Sequence, residues 1–251
     1  MPANSKFGFS ILVGGKELAE YSHPEDSTRG MVESILVSPV TYWLNVREYS
    51  SYSEEMEEQK WPVTPYQIMI SSKAGCPYSV FKVFVDGVKV NEVWLRDRET
   101  KVVEGFAEQD GSSREFLFSL PRFAENEKDR VESGRSSRVG KIEVNRHDAT
   151  FAHKAMGVHR YTAVDFVQAN KKDVTDITKL SYTMTTTRQG KLIRNGKPCD
   201  TSSSAEDTKP EMKMFSYYNI GNEVGKLQLE YHMTHTLIDW GIQLVRPDWS
   251  T

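Results

Sequence analysis

Apolar residues alternate with polar or small ones at a period of two through much of this 251-residue chain. That period builds β-strands, and the 3.6-residue period of an amphipathic helix is hard to find anywhere. In Phe7-Gly8-Phe9-Ser10-Ile11-Leu12-Val13 the side chains of Phe7, Phe9, Ile11 and Val13 fall on one face of a strand. Gly14-Gly15 then supplies a two-residue turn, and Lys16-Glu17-Leu18 begins the return. The arrangement recurs where Val80 to Val85 runs into Asp86-Gly87, a type I′ hairpin signal, and returns through Val88-Lys89-Val90. Further alternating runs are Val40 to Val46, Tyr66 to Ile70, Arg114 to Leu120, Lys141 to Val144, Leu180 to Met184, Met214 to Tyr217 and Lys226 to Tyr231. Short strands separated by Gly, Pro, Asp and Ser turns predict an all-β fold, a single antiparallel β-sandwich of jelly-roll-like form. Near the C-terminus, Thr236 to Trp240 reads as a short helix, with Thr234 or Thr236 as its cap and Gly241 ending it. No internal repeat is present beyond the two glycine-turn hairpins, which argues against a propeller or solenoid.

Three stretches interrupt the pattern and read as mobile loops near 50–65, 125–138 and 197–210. The first carries Glu54-Glu55-Met56-Glu57-Glu58, a solvated acidic loop or one helical turn. The second is charged and serine-rich, and the third contains Pro198 and Ser202-Ser203-Ser204. Wet strand faces and these excursions together account for a hydrophobic content of 38%, low for a chain of this length. No stretch approaches the roughly 18 uninterrupted apolar residues of a membrane span. Net charge is only -3 and gives no global electrostatic reason to bind nucleic acid. The N-terminus lacks a charged segment followed by an apolar one, so no secretory signal is read there. Cys76 and Cys199 cannot form a disulfide framework or a metal knuckle, and no Asn-x-Ser/Thr sequon occurs. These features predict an intracellular protein, cytoplasmic or nuclear, with no membrane partner.

Four segments, in order, resemble a known family. Phe9-Ser-Ile-Leu-Val-Gly-Gly-Lys-Glu-Leu-Ala-Glu-Tyr21 resembles the opening of the β-rich family of fungi and other microbial eukaryotes catalogued as domain of unknown function 7918. The hairpin Phe84-Val85-Asp86-Gly87-Val88-Lys89-Val90 and the strand Gly140-Lys141-Ile142-Glu143-Val144 are similar to that family's internal motifs. Leu227 to Tyr231 followed by Leu237-Ile-Asp-Trp-Gly-Ile242 is similar to its closing pattern of strand, short helix and Gly-Ile. Gly14 stands where Asp is usual in the family, and the segment Glu54 to Pro65 is an insertion relative to its pattern. The resemblance spans nearly the whole chain and implies one domain over residues 1–251, a β-sandwich without established catalytic residues.

Candidate chemistry is sparse. His147, His153 and His159 are spaced six apart, and His232 and His235 lie near the C-terminus. A metal site needs two or three imidazoles converging at about 2 Å from the ion. An extended Tyr231 to His235 would send His232 and His235 to opposite faces, whereas a helical turn would bring them together. There is no HExxH, so His153, His159, His232 and His235 are the metal candidates and solvated or hydrogen-bonded histidines the plainer reading; no cofactor is predicted. No Gly-x-Ser-x-Gly elbow occurs, and neither cysteine has a neighbouring histidine to activate it. Gly14-Gly15-Lys16 lacks the spacing of a phosphate loop and serves a hairpin instead.

Contact residues are easier to name than catalytic ones. Arg188, Lys191, Arg194 and Lys197 surround the Asn195-Gly196 turn, where they could meet phosphates or an acidic partner. Arg135-Ser136-Ser137-Arg138 has a pattern that a basophilic kinase could phosphorylate, which would invert its local charge. Among the five tryptophans, Trp61 precedes Pro62 and Trp249 is third from the end, contexts in which an indole can stack on a sugar or bury in a partner. The reading favoured is a non-enzymatic protein-interaction or structural module, as in jelly-roll-like coat subunits, with self-association open through unpaired sheet edges. The alternatives are a hydrolase or carbohydrate-binding domain on the same sandwich, and nucleic-acid binding through residues 188–197.

Overall fold

The computed structural model describes residues 2–22, 34–37, 42–45, 60–107, 112–119, 140–157, 186–194, 197–199, 213–232 and 234–243. Its strands in chain order are β1 (Phe7–Val13), β2 (Lys16–Glu17), β3 (Glu20–Ser22), β4 (Ser34–Val37), β5 (Tyr42–Asn45), β6 (Lys60–Ser72), β7 (Ser79–Val85) and β8 (Val88–Leu95). There follow β9 (Thr100–Val103), β10 (Gly105–Ala107), β11 (Ser113–Ser119), β12 (Lys141–Gly157), β13 (Thr186–Arg194), β14 (Lys197–Cys199), β15 (Lys213–His232) and one short helix, α1 (Thr234–Asp239).

Two sheets form. One has the backbone order β14-β13-β11-β6-β1-β2, with β5, β9 and β10 attached to β6 and β11; the other runs β3-β4-β15-β12-β7-β8. Among the described residues pairing is antiparallel except between β4 and β15, which run parallel from Ser34 opposite Leu229 to Val37 opposite His232. Both hairpins expected from glycine turns are present. Gly14 and Gly15 have φ of 57° and 77°, and Asp86 and Gly87 have 51° and 78°, the paired positive values of a type I′ turn.

A single hydrophobic cluster draws on both sheets: Phe9, Ile68 and Phe116 from the first meet Val83, Ile142 and Leu229 from the second. Burial of such side chains contributes about 1.5–3 kcal/mol each. Strand β1 departs from the expected half-wet pattern, since its even-numbered face is buried as well, Ser10 and Leu12 included.

Three expectations need correction. Residues 60–65, assigned to a loop, open β6; 60–63 pair with β5, Trp61 lying opposite Leu44, and Thr64 and Pro65 pair with β11. Residues 197–199, also assigned to a loop, form β14 and pair with the end of β13. The remainder of those loops, the 125–138 loop, Arg135 to Arg138 and the strand read at Leu180 to Met184 lie outside the described residues. Third, Met214 to Tyr217 and Lys226 to Tyr231 are not two strands but one, β15, because Gly221 sits in a bulge opposite β12 and Gly225 pairs with Arg146 beside another, instead of either sitting in a turn.

The C-terminal helix ends as expected. Gly241, at φ 78°, donates its N–H to Ile238 O at 2.8 Å, and the Ile242 N–H reaches Leu237 O at 3.0 Å, the bond pair of a Schellman motif. Thr234 and Thr236 both lie inside the helix instead of capping it. Among the described residues no helix is long and apolar enough to cross a membrane.

Candidate functional site: an aromatic groove on the six-stranded sheet

Strand lengths in the six-stranded sheet are unequal, and the site follows from that mismatch. β7 pairs with β12 only as far as Ser79 opposite Asp148, and β4 pairs with β15 only over Leu229 to His232. Strands β12 and β15 continue past both neighbours as a two-stranded ribbon, pairing through Gly157 opposite Lys213. A ribbon of two strands has no sheet behind it to bury its side chains. Its apolar residues are accordingly exposed: Phe151 at 56%, Met156 at 54% and Met214 at 62%.

Register places these side chains. Met214 lies opposite Met156, Tyr218 opposite Phe151 and Ile220 opposite Ala149, so Met156, Met214, Phe151, Tyr218 and Ile220 share one face of the ribbon. The opposite face carries His153 stacked on Tyr217, with ring centroids 4.9 Å apart and planes 10° from parallel.

At the root of the ribbon the aromatic face continues onto the sheet. Tyr218 contacts Tyr78 at 4.5 Å, Trp94 at 5.5 Å and Phe151 at 5.7 Å between centroids, and Tyr78 meets Trp94 at 5.5 Å. Tyr78 and Trp94 form the wall of an open groove of about 470 Å³ whose rim is Arg96, Asp97, Arg98, Glu99 and Lys101. Burial first, and then the neighbouring Tyr218, raise the Tyr78 phenol above its ordinary pKa, against a lowering by Arg96, so it is a neutral hydroxyl at pH 7.

Glu99 Oε2 accepts the Arg96 backbone N–H at 2.7 Å, and Asp97 Oδ1 accepts the Cys76 N–H at 3.1 Å. Lys101 Nζ donates to the Trp94 carbonyl at 2.9 Å. Both carboxylates therefore hold the turn together. Arg98, held at φ 57°, keeps a side chain that is 77% exposed with Asp97 Oδ2 at 3.8 Å, and the Arg96 guanidinium makes no ion pair among the described residues.

Further along the same sheet the outer face is polar. Lys226 pairs with Glu143 at 2.8 Å, Lys141 with Glu230 at 2.6 Å, and Asn145 donates to Glu223 at 2.9 Å. His232 Nε2 stands 3.6 Å from Glu230 Oε2, and its ring meets Trp240 edge-on at 4.8 Å. The His232 imidazole, and then Lys141, hold the Glu230 carboxyl down to a pKa of about 2 against the opposing effect of burial.

The residues expected to carry function fall elsewhere. Arg188, Lys191 and Arg194 lie on β13 and Lys197 on β14, with Arg194 opposite Lys197 across positions 195 and 196, so the basic group belongs to an outer hairpin of the nine-stranded sheet. Trp61 is in that sheet too, and Trp249 lies outside the described residues. His153 stacks on an aromatic ring, His232 faces Glu230, His235 is in α1 and His159 lies outside the described residues. Among the described residues no three His, Cys, Asp or Glu side chains group so as to hold a metal. What sequence reasoning missed is Tyr78, Trp94, Phe151 and Tyr218 with Arg96 and Arg98. The available signal was Tyr217-Tyr218, adjacent aromatics that must point to opposite faces of a strand. Compared with known proteins, the chain matches no family model, no curated protein and no solved structure.

Proposed function

We propose that this protein is a non-enzymatic protein-interaction module whose contact surface is the aromatic face of the β12–β15 ribbon and the groove at its root. One observation carries the reading: Phe151, Met156, Met214 and Ile220 stand exposed on a single ribbon face, continuous with the Tyr78, Trp94 and Tyr218 cluster. Exposed side chains of this size present roughly 400 Å², comparable to the largest apolar patch on a typical monomer, and such patches are commonly binding surfaces. Aromatic residues dominate the energetics of protein interfaces, and flexible methionines adapt to a partner's shape. A photo-crosslinking amino acid placed at Met214, in the full chain in its native extract, is expected to form polypeptide adducts. The same group at Gln228, on the polar part of the same sheet, is expected to form none. Equal labelling at both positions, or no adduct at either, would overturn the reading.

A further inference from the structure

We infer that the partner is an extended peptide segment carrying an acidic group, which adds as a strand along the open edge of β12 and sets its acidic side chain against Arg96 and Arg98. The inference rests on the protein-interaction reading and specifies its partner. Two independent observations meet at this point. The first is an open edge. The Ala149 N–H donates to Tyr78 O at 3.2 Å, on the side of β7, and there β7 ends. Backbone groups alternate along an antiparallel strand, so the N–H and C=O of Phe151, two residues on, face the same side with no strand opposite them among the described residues. A peptide in line with β7 would find this backbone ready to pair, as in strand addition to a sheet edge. The bulge between Phe151 and His153 limits the length of that pairing and twists the edge, which favours a short segment over an open-ended stack of copies.

The second observation is charge. The groove lies where a strand continuing β7 would leave the sheet, beside Tyr78 and Trp94. Its carboxylates, Asp97 and Glu99, hold backbone N–H groups, and Lys101, near Glu99, donates to a carbonyl. Arg98 lies 3.8 Å from Asp97 Oδ2 yet keeps a side chain 77% exposed, and the Arg96 guanidinium makes no ion pair among the described residues. A guanidinium offers a fork of donors that matches a carboxylate and stacks on aromatic rings, so an acidic side chain flanked by an apolar one fits the pair of arginines and the aromatic wall together.

The test uses the full chain and a phage-displayed library of random twelve-residue peptides, followed by anisotropy titration of the selected peptides. Enrichment of Asp or Glu is expected, with binding weakened about tenfold in the double variant Arg96→Ala/Arg98→Ala and weakened further by salt. Methylating alternate backbone nitrogens of a selected peptide is expected to abolish binding at one parity of positions and leave the other within about threefold, the signature of strand pairing. Phe151→Pro is expected to weaken binding more than Phe151→Ala, which removes the ring and keeps the N–H; the methylated peptides decide the matter even if the proline variant fails to fold. Selection of no peptide, peptides without acidic residues, indifference to the arginine variant, or equal effects of methylation at both parities would each overturn the inference. Adducts from position 214 in the extract would still stand in those cases, so this failure is distinguishable from failure of the interaction reading.

Discussion

The Tyr231 hydroxyl donates a 2.5 Å hydrogen bond to Asp86 Oδ1, linking the middle strand β15 to the turn between β7 and β8. The same oxygen accepts the Gly140 N–H at 2.8 Å, and the Asp86 N–H donates to Lys141 O at 2.9 Å. Asp86 is 2% exposed, so a residue whose type is explained locally by a tight turn also closes the entry to β12. A buried carboxylate deprived of donors is costly, and removing the carboxylate orphans two donors instead. Asp86→Ala is expected to lower unfolding free energy by about 2–4 kcal/mol and Tyr231→Phe by about 1–2 kcal/mol in urea titrations. Combined, the two changes are expected to cost less than their sum, and strict additivity would show that the bond is not the coupling element.

Glu230 gives the stability a defined acid dependence. Its pKa is about 2 in the folded chain against an ordinary value of 4.5, held down by His232 and Lys141. A depressed carboxylate contributes stability that is present above pH 4.5 and is lost as the pH falls toward 2. Its side chain remains 22% exposed and solvent screens the pair, so the contribution is expected to be about 1 kcal/mol at pH 7. Glu230→Gln should therefore be less stable than the parent at neutral pH and converge with it near pH 2. A gap that stays constant across that window in thermal melts would assign the loss to packing instead of charge.

The turns were legible because their cause is local. Gly14-Gly15 and Asp86-Gly87 announce positive φ within two residues, and the strands on either side follow from the turn's own twist. Gly221 and Gly225 carry the same residue type and mislead, because a glycine in or beside a strand bulge and a glycine between strands look alike in sequence. The groove was illegible for a different reason. Tyr78 and Trp94 at the end of the β7–β8 hairpin, Phe151 on β12 and Tyr218 on β15 come from three parts far apart in the chain, and their meeting depends on β7 stopping where β12 does not. Where a strand ends relative to its neighbour is a property of the pairing register, which no single strand encodes. The same holds for Arg146, between Asn145 and His147, whose 4% exposure is explained by Ser79 Oγ at 3.1 Å and Asp148 Oδ1 at 2.8 Å.

Gly105 is required by a close approach of backbones. It pairs with Glu115 between β10 and β11, and a Cβ built on it would overlap the carbonyl oxygen of Arg114. Main chain cannot yield as a side-chain tip can, so Gly105→Ala is expected to displace β10 from β11 and cost about 2–3 kcal/mol. Hydrogen exchange provides the check: amides of Phe106 and Ala107 should lose protection while those of β7 and β12 keep theirs. A variant as protected as the parent at Phe106 would show that the approach is looser than this geometry.

Phe151 and Trp94 belong to one aromatic cluster yet should respond differently to substitution. Phe151 meets Tyr218 edge-on, at 80° between planes, and more than half of its surface is already in water. Trp94 contacts both Tyr78 and Tyr218 and stands opposite Val80, which is fully buried. Phe151→Ser removes little area that folding took from solvent, so its stability is expected to stay within about 0.5 kcal/mol of the parent. Trp94→Ala opens the wall of the groove and is expected to cost about 2–4 kcal/mol. Solubility separates the two further, because loss of an exposed ring shrinks the apolar patch: Phe151→Ser should raise the salting-out threshold, and Trp94→Ala should increase binding of an apolar dye. Equal destabilisation by both changes would mean that the ribbon's apolar face is packed against other parts of the chain and is unavailable to a partner.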